Sequence, residues 1–101
     1  MTSRHRLPNR RGSETVSFDH EGIAYRATIS RVNGAIAELF LDAGKAGTGI
    51  NIAARDLAVA ASLAFQYGCP AAVLADALDK LPTGQPAGPL GVAINMAIEA
   101  A

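Results

Sequence analysis

Between residues 15 and 42 apolar and polar side chains alternate with the period of an extended chain, and beyond residue 49 the spacing lengthens to that of a helix. Residues 15–18 put Val16 and Phe18 on one side of a short first strand, and Asp19-His20-Glu21-Gly22 has the polar, glycine-containing chemistry of a turn. In a second strand over residues 23–32, Ile23, Tyr25, Ala27 and Ile29 share one face, with Arg26, Thr28 and Ser30 on the other. Asn33-Gly34 supplies the positive-φ pair of a tight hairpin before a third strand over residues 35–42. A two-residue loop would oppose Ile29 to Glu38 and Thr28 to Leu39, mixing polar and apolar on both faces. A three-residue loop, Val32-Asn33-Gly34, instead pairs Ile29 with Ala37, Ala27 with Leu39 and Tyr25 with Leu41, and is the expected register, with Gly34 as a left-handed bulge residue. The opposite face then carries Arg26, Phe40, Thr28, Glu38, Ser30 and Ile36. Phe40 and Ile36 are its candidate contacts with a partner or with a second copy in a homodimer.

A glycine-rich loop over residues 44–49 leads into the helical part. Asn51 is the expected N-cap of a helix over residues 52–67, ended by Gly68 and Pro70. Leu57, Ala60, Ala61, Ala64 and Phe65 are expected to face inward, with Arg55, Ser62 and Gln66 as a narrow polar stripe. Pro70 opens a second helix to about Leu81, with Leu74, Leu78 and Leu81 apolar and Asp76 and Lys80 as a surface pair. Residues 82–89 form a turn-rich linker, and Leu90, Ile94, Ala97 and Ile98 mark a third helix over residues 90–99. The fold class is α+β: a three-stranded antiparallel meander followed by two or three helices on one face, in the order β-β-β-α-α-α.

Composition narrows the picture. The 101 residues fit one domain, with half the residues apolar, 18% charged and no Trp, so the core is expected to pack through small side chains. Formal neutrality hides an asymmetry: Arg4, Arg6, Arg10 and Arg11 stand in an acid-free start, leaving five basic and nine acidic residues in the remainder. Residues 1–13 therefore read as a flexible basic arm on a domain spanning residues 14–101, able to touch nucleic acid phosphates. A single cysteine, Cys69, excludes an internal disulfide and multi-cysteine metal sites, and a reducing, cytoplasmic setting is expected. The start of the chain lacks the apolar segment of a secretory signal, and the nearly apolar stretch 57–65 is too short for a bilayer, so no membrane contact is expected.

Candidate chemistry concentrates in the loop. Gly44, Lys45, Gly47, Thr48 and Gly49 precede a helix N-terminus, the arrangement that lets backbone N–H groups approach an anion. A Walker loop would need Ser or Thr after Lys45, where Ala46 stands, and the dinucleotide fingerprint lacks its third glycine, replaced by Ile52. A plain strand-to-helix connection is the competing reading. His5 and His20 lie at no ligand spacing, so no metal site and no catalytic set is expected.

One set of segments goes further. Gly44-Lys45-Ala46-Gly47-Thr48, then Ala54-Arg55-Asp56 with Ala58-Val59-Ala60, then Ser62-Leu63-Ala64-Phe65-Gln66-Tyr67-Gly68-Cys69-Pro70, resembles the TSCPD domain found at the C-terminus of adenosylcobalamin-dependent (class II) ribonucleotide reductases. Phe18, Gly22 to Tyr25, Glu38-Leu39-Phe40 and Pro86-Ala87-Gly88-Pro89-Leu90-Gly91 extend the resemblance over nearly the whole chain after the arm. The resemblance implies an accessory or regulatory binding module linked to deoxyribonucleotide synthesis, with the reductase or a nucleotide as partner and no cofactor of its own. Lys45, Thr48 and Arg55 are then the candidates for an anionic ligand. A reductase barrel and a cysteine pair are missing from the chain, and one cysteine cannot cycle as a dithiol. Two other readings stay open: a small protein that binds nucleic acid through Arg4 to Arg11, and a structural homodimer.

Overall fold

The computed structural model describes residues 13–45 and 47–100. Its elements follow in the order β1 (Ser13–His20), β2 (Ile23–Val32), β3 (Ala35–Ala43), α1 (Gly49–Gln66), α2 (Ala71–Ala77) and α3 (Pro89–Glu99), an α+β fold in which one antiparallel sheet, ordered β1-β2-β3, is followed by three helices.

Both hairpins use two-residue turns. Glu21 and Gly22 have φ of 52° and 78°, and Asn33 and Gly34 have 53° and 82°, the double positive φ of a type I′ turn that matches strand twist. β1 therefore runs on through Asp19 and His20, which the sequence places in the turn, and His20 pairs with Ile23. In the second hairpin the expected three-residue loop is not formed. Val32 pairs with Ala35 and Arg31 with Ile36, then Ser30 pairs with Glu38, leaving Ala37 as an extra residue in β3. This bulge restores apolar-to-apolar pairing farther down, with Ile29 opposite Leu39, Ala27 opposite Leu41 and Tyr25 opposite Ala43. Matching of the faces was the correct constraint, and a bulge inside the strand meets it with a tighter turn.

The bulge also re-aims Ile36. It pairs with Arg31 on the helix-facing side and packs against the core, while Phe40 remains outward and exposed. The two candidate contacts thus lie on opposite faces of the sheet.

The helix α1 begins at Gly49, with Thr48 and not Asn51 as its cap: the Thr48 Oγ1 accepts from the Asn51 N–H at 3.2 Å. Its end is a Schellman motif, in which Gly68 at φ 107° lets Cys69 N–H reach Ala64 O at 2.9 Å and Gly68 N–H reach Phe65 O at 3.0 Å. The inward face also differs from expectation. Asn51, Ala54, Ala58, Ala61, Ser62, Phe65 and Gln66 are buried, whereas Leu57 and Ala60 are exposed and Ala64 is half-buried. The reason is the free edge of β3. Ser62 Oγ accepts from Leu39 N–H and donates to Leu39 O, both at 2.9 Å, and Gln66 Nε2 donates to Ala37 O at 3.2 Å. An edge strand leaves backbone groups unpaired, and here α1 satisfies them with its polar stripe turned inward.

Alanine fills much of the interface, with Ala27 and Ala43 of the sheet against Ala54, Ala58 and Ala61 of α1 and Ala93 and Ala97 of α3 in one core cluster around Ile29, Leu39, Leu41 and Ile94. α2 stops at Ala77, short of the expected Leu81, because Leu78 is extended and the Lys80 ammonium donates to the carbonyls of Ala75, Asp76 and Leu78. Lys80 thus neutralises the negative end of a short helix through backbone carbonyls, and Leu81 is left exposed. The Arg31 guanidinium bonds Glu14 of β1 and the Ala97 carbonyl near the C-terminal end of α3, tying that helix to the first hairpin.

Candidate functional site

The loop residues are ordered by their own backbone needs. Gly44 has φ 57° and its N–H reaches Ala24 O at 3.0 Å, which anchors the exit of β3 to β2. Gly47 has φ 84°, and Lys45 O accepts from both Thr48 N–H at 3.3 Å and Thr48 Oγ1 at 2.8 Å. The Thr48 hydroxyl is therefore already engaged twice, donating to Lys45 and accepting from Asn51. Gly49 opens α1, whose first turn carries no acidic residue. Lys45 and Arg55 are both exposed, and Arg55 lies about 9 Å along the helix axis from Gly49, six residues on. Loop and arginine are brought to the N-terminal half of α1. Arg4, Arg6, Arg10 and Arg11 lie outside the described residues.

Among the described residues the surface also carries depressions. One, of about 410 Å³, is lined by Ser17, Asp19, Arg26 and Asp42 of the strands and touches Gly44 at its rim. Another, of about 240 Å³, lies between Ile36, Arg31, Ala71, Ala97 and Ile98. Among the described residues no group of three or more His, Cys, Asp or Glu side chains is placed to hold a metal ion. His20 Nε2 donates to Ala87 O at 3.1 Å and its ring meets Tyr25 edge-on at 6.3 Å, while Tyr25 stacks on Phe18 at 5.3 Å, so this histidine locks the linker between α2 and α3 to the first hairpin. Among the described residues no helix is long and apolar enough to cross a membrane.

The surface that stands out is the outer face of α1, which the sequence pattern assigned inward in part. Ile52, Val59, Leu63 and Tyr67 are 52%, 50%, 39% and 48% exposed. At 3.6 residues per turn they fall within an arc of roughly 80° on the side away from the sheet. Asp56 is the one charged member of that arc, exposed Arg55 flanks it on one side, and exposed Ala60 and then Leu57 extend it on the other. Helices apolar on every side belong to buried environments, yet here one face meets solvent. The inward placement of Ser62 and Gln66 is what frees this apolar face, and no helix-period reading could separate the two sides because both are rich in alanine and aliphatic residues. Compared with protein-family models, curated proteins and solved structures, the chain matches none.

Proposed function

We propose that the chain is a non-catalytic accessory binding module that docks through the outer face of α1 on a class II ribonucleotide reductase, in support of deoxyribonucleotide synthesis. The observation that carries the docking is the solvent-facing stripe of Ile52, Val59, Leu63 and Tyr67 on a helix whose opposite side is already committed to the sheet. The partner is drawn from the TSCPD resemblance. An apolar strip that ends in an aromatic, Tyr67, and carries a single charge, Asp56, has a composition close to that of an interface core, with exposed Arg55 at its edge for a polar rim.

The test is calorimetric titration of the chain into a purified adenosylcobalamin-dependent reductase from the same organism. Val59→Glu with Leu63→Glu, two changes on the exposed face, should leave the fold intact and weaken binding at least 100-fold, the scale of lost central contacts. Binding that is absent in the wild type, or unchanged in the double variant, overturns the proposal.

A second reading places a nucleotide at the turn over residues 44–49. It is favoured by the positive end of α1, which no acidic side chain in the first turn offsets, beside Lys45 and two glycines. Titration with ribonucleotides and deoxyribonucleotides should then shift the amides of Gly47, Gly49 and Ile50, and Lys45→Ala should weaken that response; unchanged amides refute it.

A further inference from the structure

The two edges of the sheet are treated differently, and the difference points to a second copy of the chain. On β3 the side chains of Ser62 and Gln66 occupy outward backbone groups. β1, the other edge, is eight residues long, Ser13–His20, with no proline, no lysine and no bulge in its pairing with β2. These are the devices by which exposed edges usually block further pairing.

Which backbone groups are free follows from the turn. A two-residue hairpin makes His20 and Ile23 a hydrogen-bonded pair, and alternation makes Phe18 with Tyr25, Val16 with Ala27 and Glu14 with Ile29 the next such pairs. The N–H and C=O of Thr15, Ser17 and Asp19 therefore point away from β2. None of them takes part in a backbone hydrogen bond with a loop or helix among the described residues.

We propose that β1 pairs antiparallel with β1 of a second copy, joining two three-stranded sheets into one of six strands. One register sets both Val16 and Phe18 opposite apolar side chains. With Ser17 opposite its own counterpart on the two-fold axis, Thr15 faces Asp19 of the second copy, Val16 faces Phe18, and Glu14 faces His20. Apolar side chains then meet on the helix-facing side, where Val16 and Phe18 are only half-buried at the rim of the core. Glu14, held by Arg31, faces His20, held by Ala87 O, so no like charges oppose each other there. A shift by one residue opposes Glu14 to Asp19 and turns apolar side chains toward solvent. A shift by two, with Val16 on the axis, sets Glu14 against Phe18. This surface is distinct from the outer face of α1, which packs on β3 two strands away, about 10 Å across the sheet. Dimerisation leaves both α1 faces open.

Sedimentation equilibrium of the full chain, up to roughly 1 mM at the weak end of specific association, should show a mass approaching twice 10.4 kDa. Ser17→Pro removes an N–H aimed at the partner and none aimed at β2, so it should give a monomer with unchanged circular dichroism. Ser17→Cys reads the same contact without altering the backbone. In a Cys69→Ala background it should form a covalent dimer under mild oxidation, since paired residues on the axis stand about 5.5 Å apart, within disulfide reach. Thr28→Cys in that background, on the middle strand, should not. A wild-type mass that stays monomeric, a dimer that survives Ser17→Pro, or a Ser17→Cys chain that fails to cross-link overturns the proposal.

Discussion

Replacing Ser62 with alanine tests the reason for the orientation of α1. The hydroxyl accepts from the N–H of Leu39 and donates to its C=O, both at 2.9 Å, in a site where Ser62 is 7% and Leu39 0% exposed. Alanine keeps the helix and the small volume but strands both backbone groups. A buried donor or acceptor left without a partner costs about 1–3 kcal/mol. Two such groups, partly relieved by relaxation of the edge, give a loss of about 2–4 kcal/mol. In a domain of this size 1 kcal/mol shifts Tm by about 4–8 °C, so the midpoint should fall by roughly 10–25 °C. Urea titration followed by circular dichroism should show a lower midpoint at an unchanged slope. Thr15→Ala is the matched control, because its hydroxyl contact with Thr28 is exposed and 3.4 Å long; it should cost less than about 0.5 kcal/mol. A Ser62→Ala chain within about 0.5 kcal/mol of wild type would refute the claim that this side chain closes the β3 edge.

Other substitutions separate further parts of the account. Ile36→Asp should destabilise by about 2–4 kcal/mol, since the bulge turns Ile36 toward the core, whereas Phe40→Asp should stay within about 0.5 kcal/mol; equal effects in chemical denaturation would contradict the bulged register. Phe65→Ala removes the largest side chain that α1 buries and should cost about 3–5 kcal/mol by the same assay. Gly34→Ala forces a Cβ into the left-handed region at φ 82° and should cost about 1–2 kcal/mol, with no neighbour within 4 Å to add a clash.

Much of the fold was legible because alternation and turn chemistry act locally. The two faces of β2, the place of the Asn33-Gly34 turn and the Gly68 stop all follow from residues within a few positions of one another, whereas Pro89 read as linker and opens α3 one residue before the expected Leu90. What escaped depended on partners far along the chain. The requirement that Ile29 face an apolar residue was readable, but Ala37 as a bulge competes with a longer loop that satisfies the same parity. Ser62 and Gln66 read as a solvent stripe because helix periodicity treats polar residues as outward, and only the unpaired edge of β3, 23 and 29 residues away, gives them a reason to turn in. Lys80 likewise reads as an ion-pair partner of Asp76 until the early end of α2 leaves carbonyls for it to cap. In the candidate site, Gly44 and Gly47 have the positive φ that glycine-rich chemistry foretells, while Thr48 was legible as a donor but not as the cap that α1 makes of it.

The docking claim is tested most directly by methyl NMR of the labelled chain with the class II reductase added. The account predicts shifts or line broadening at Ile52, Leu57, Val59 and Leu63, with the core methyls of Ile29, Leu39, Leu41 and Ile94 unchanged. Perturbation confined to the turn over residues 44–49 or to the outer sheet face, or none at any methyl, would contradict it.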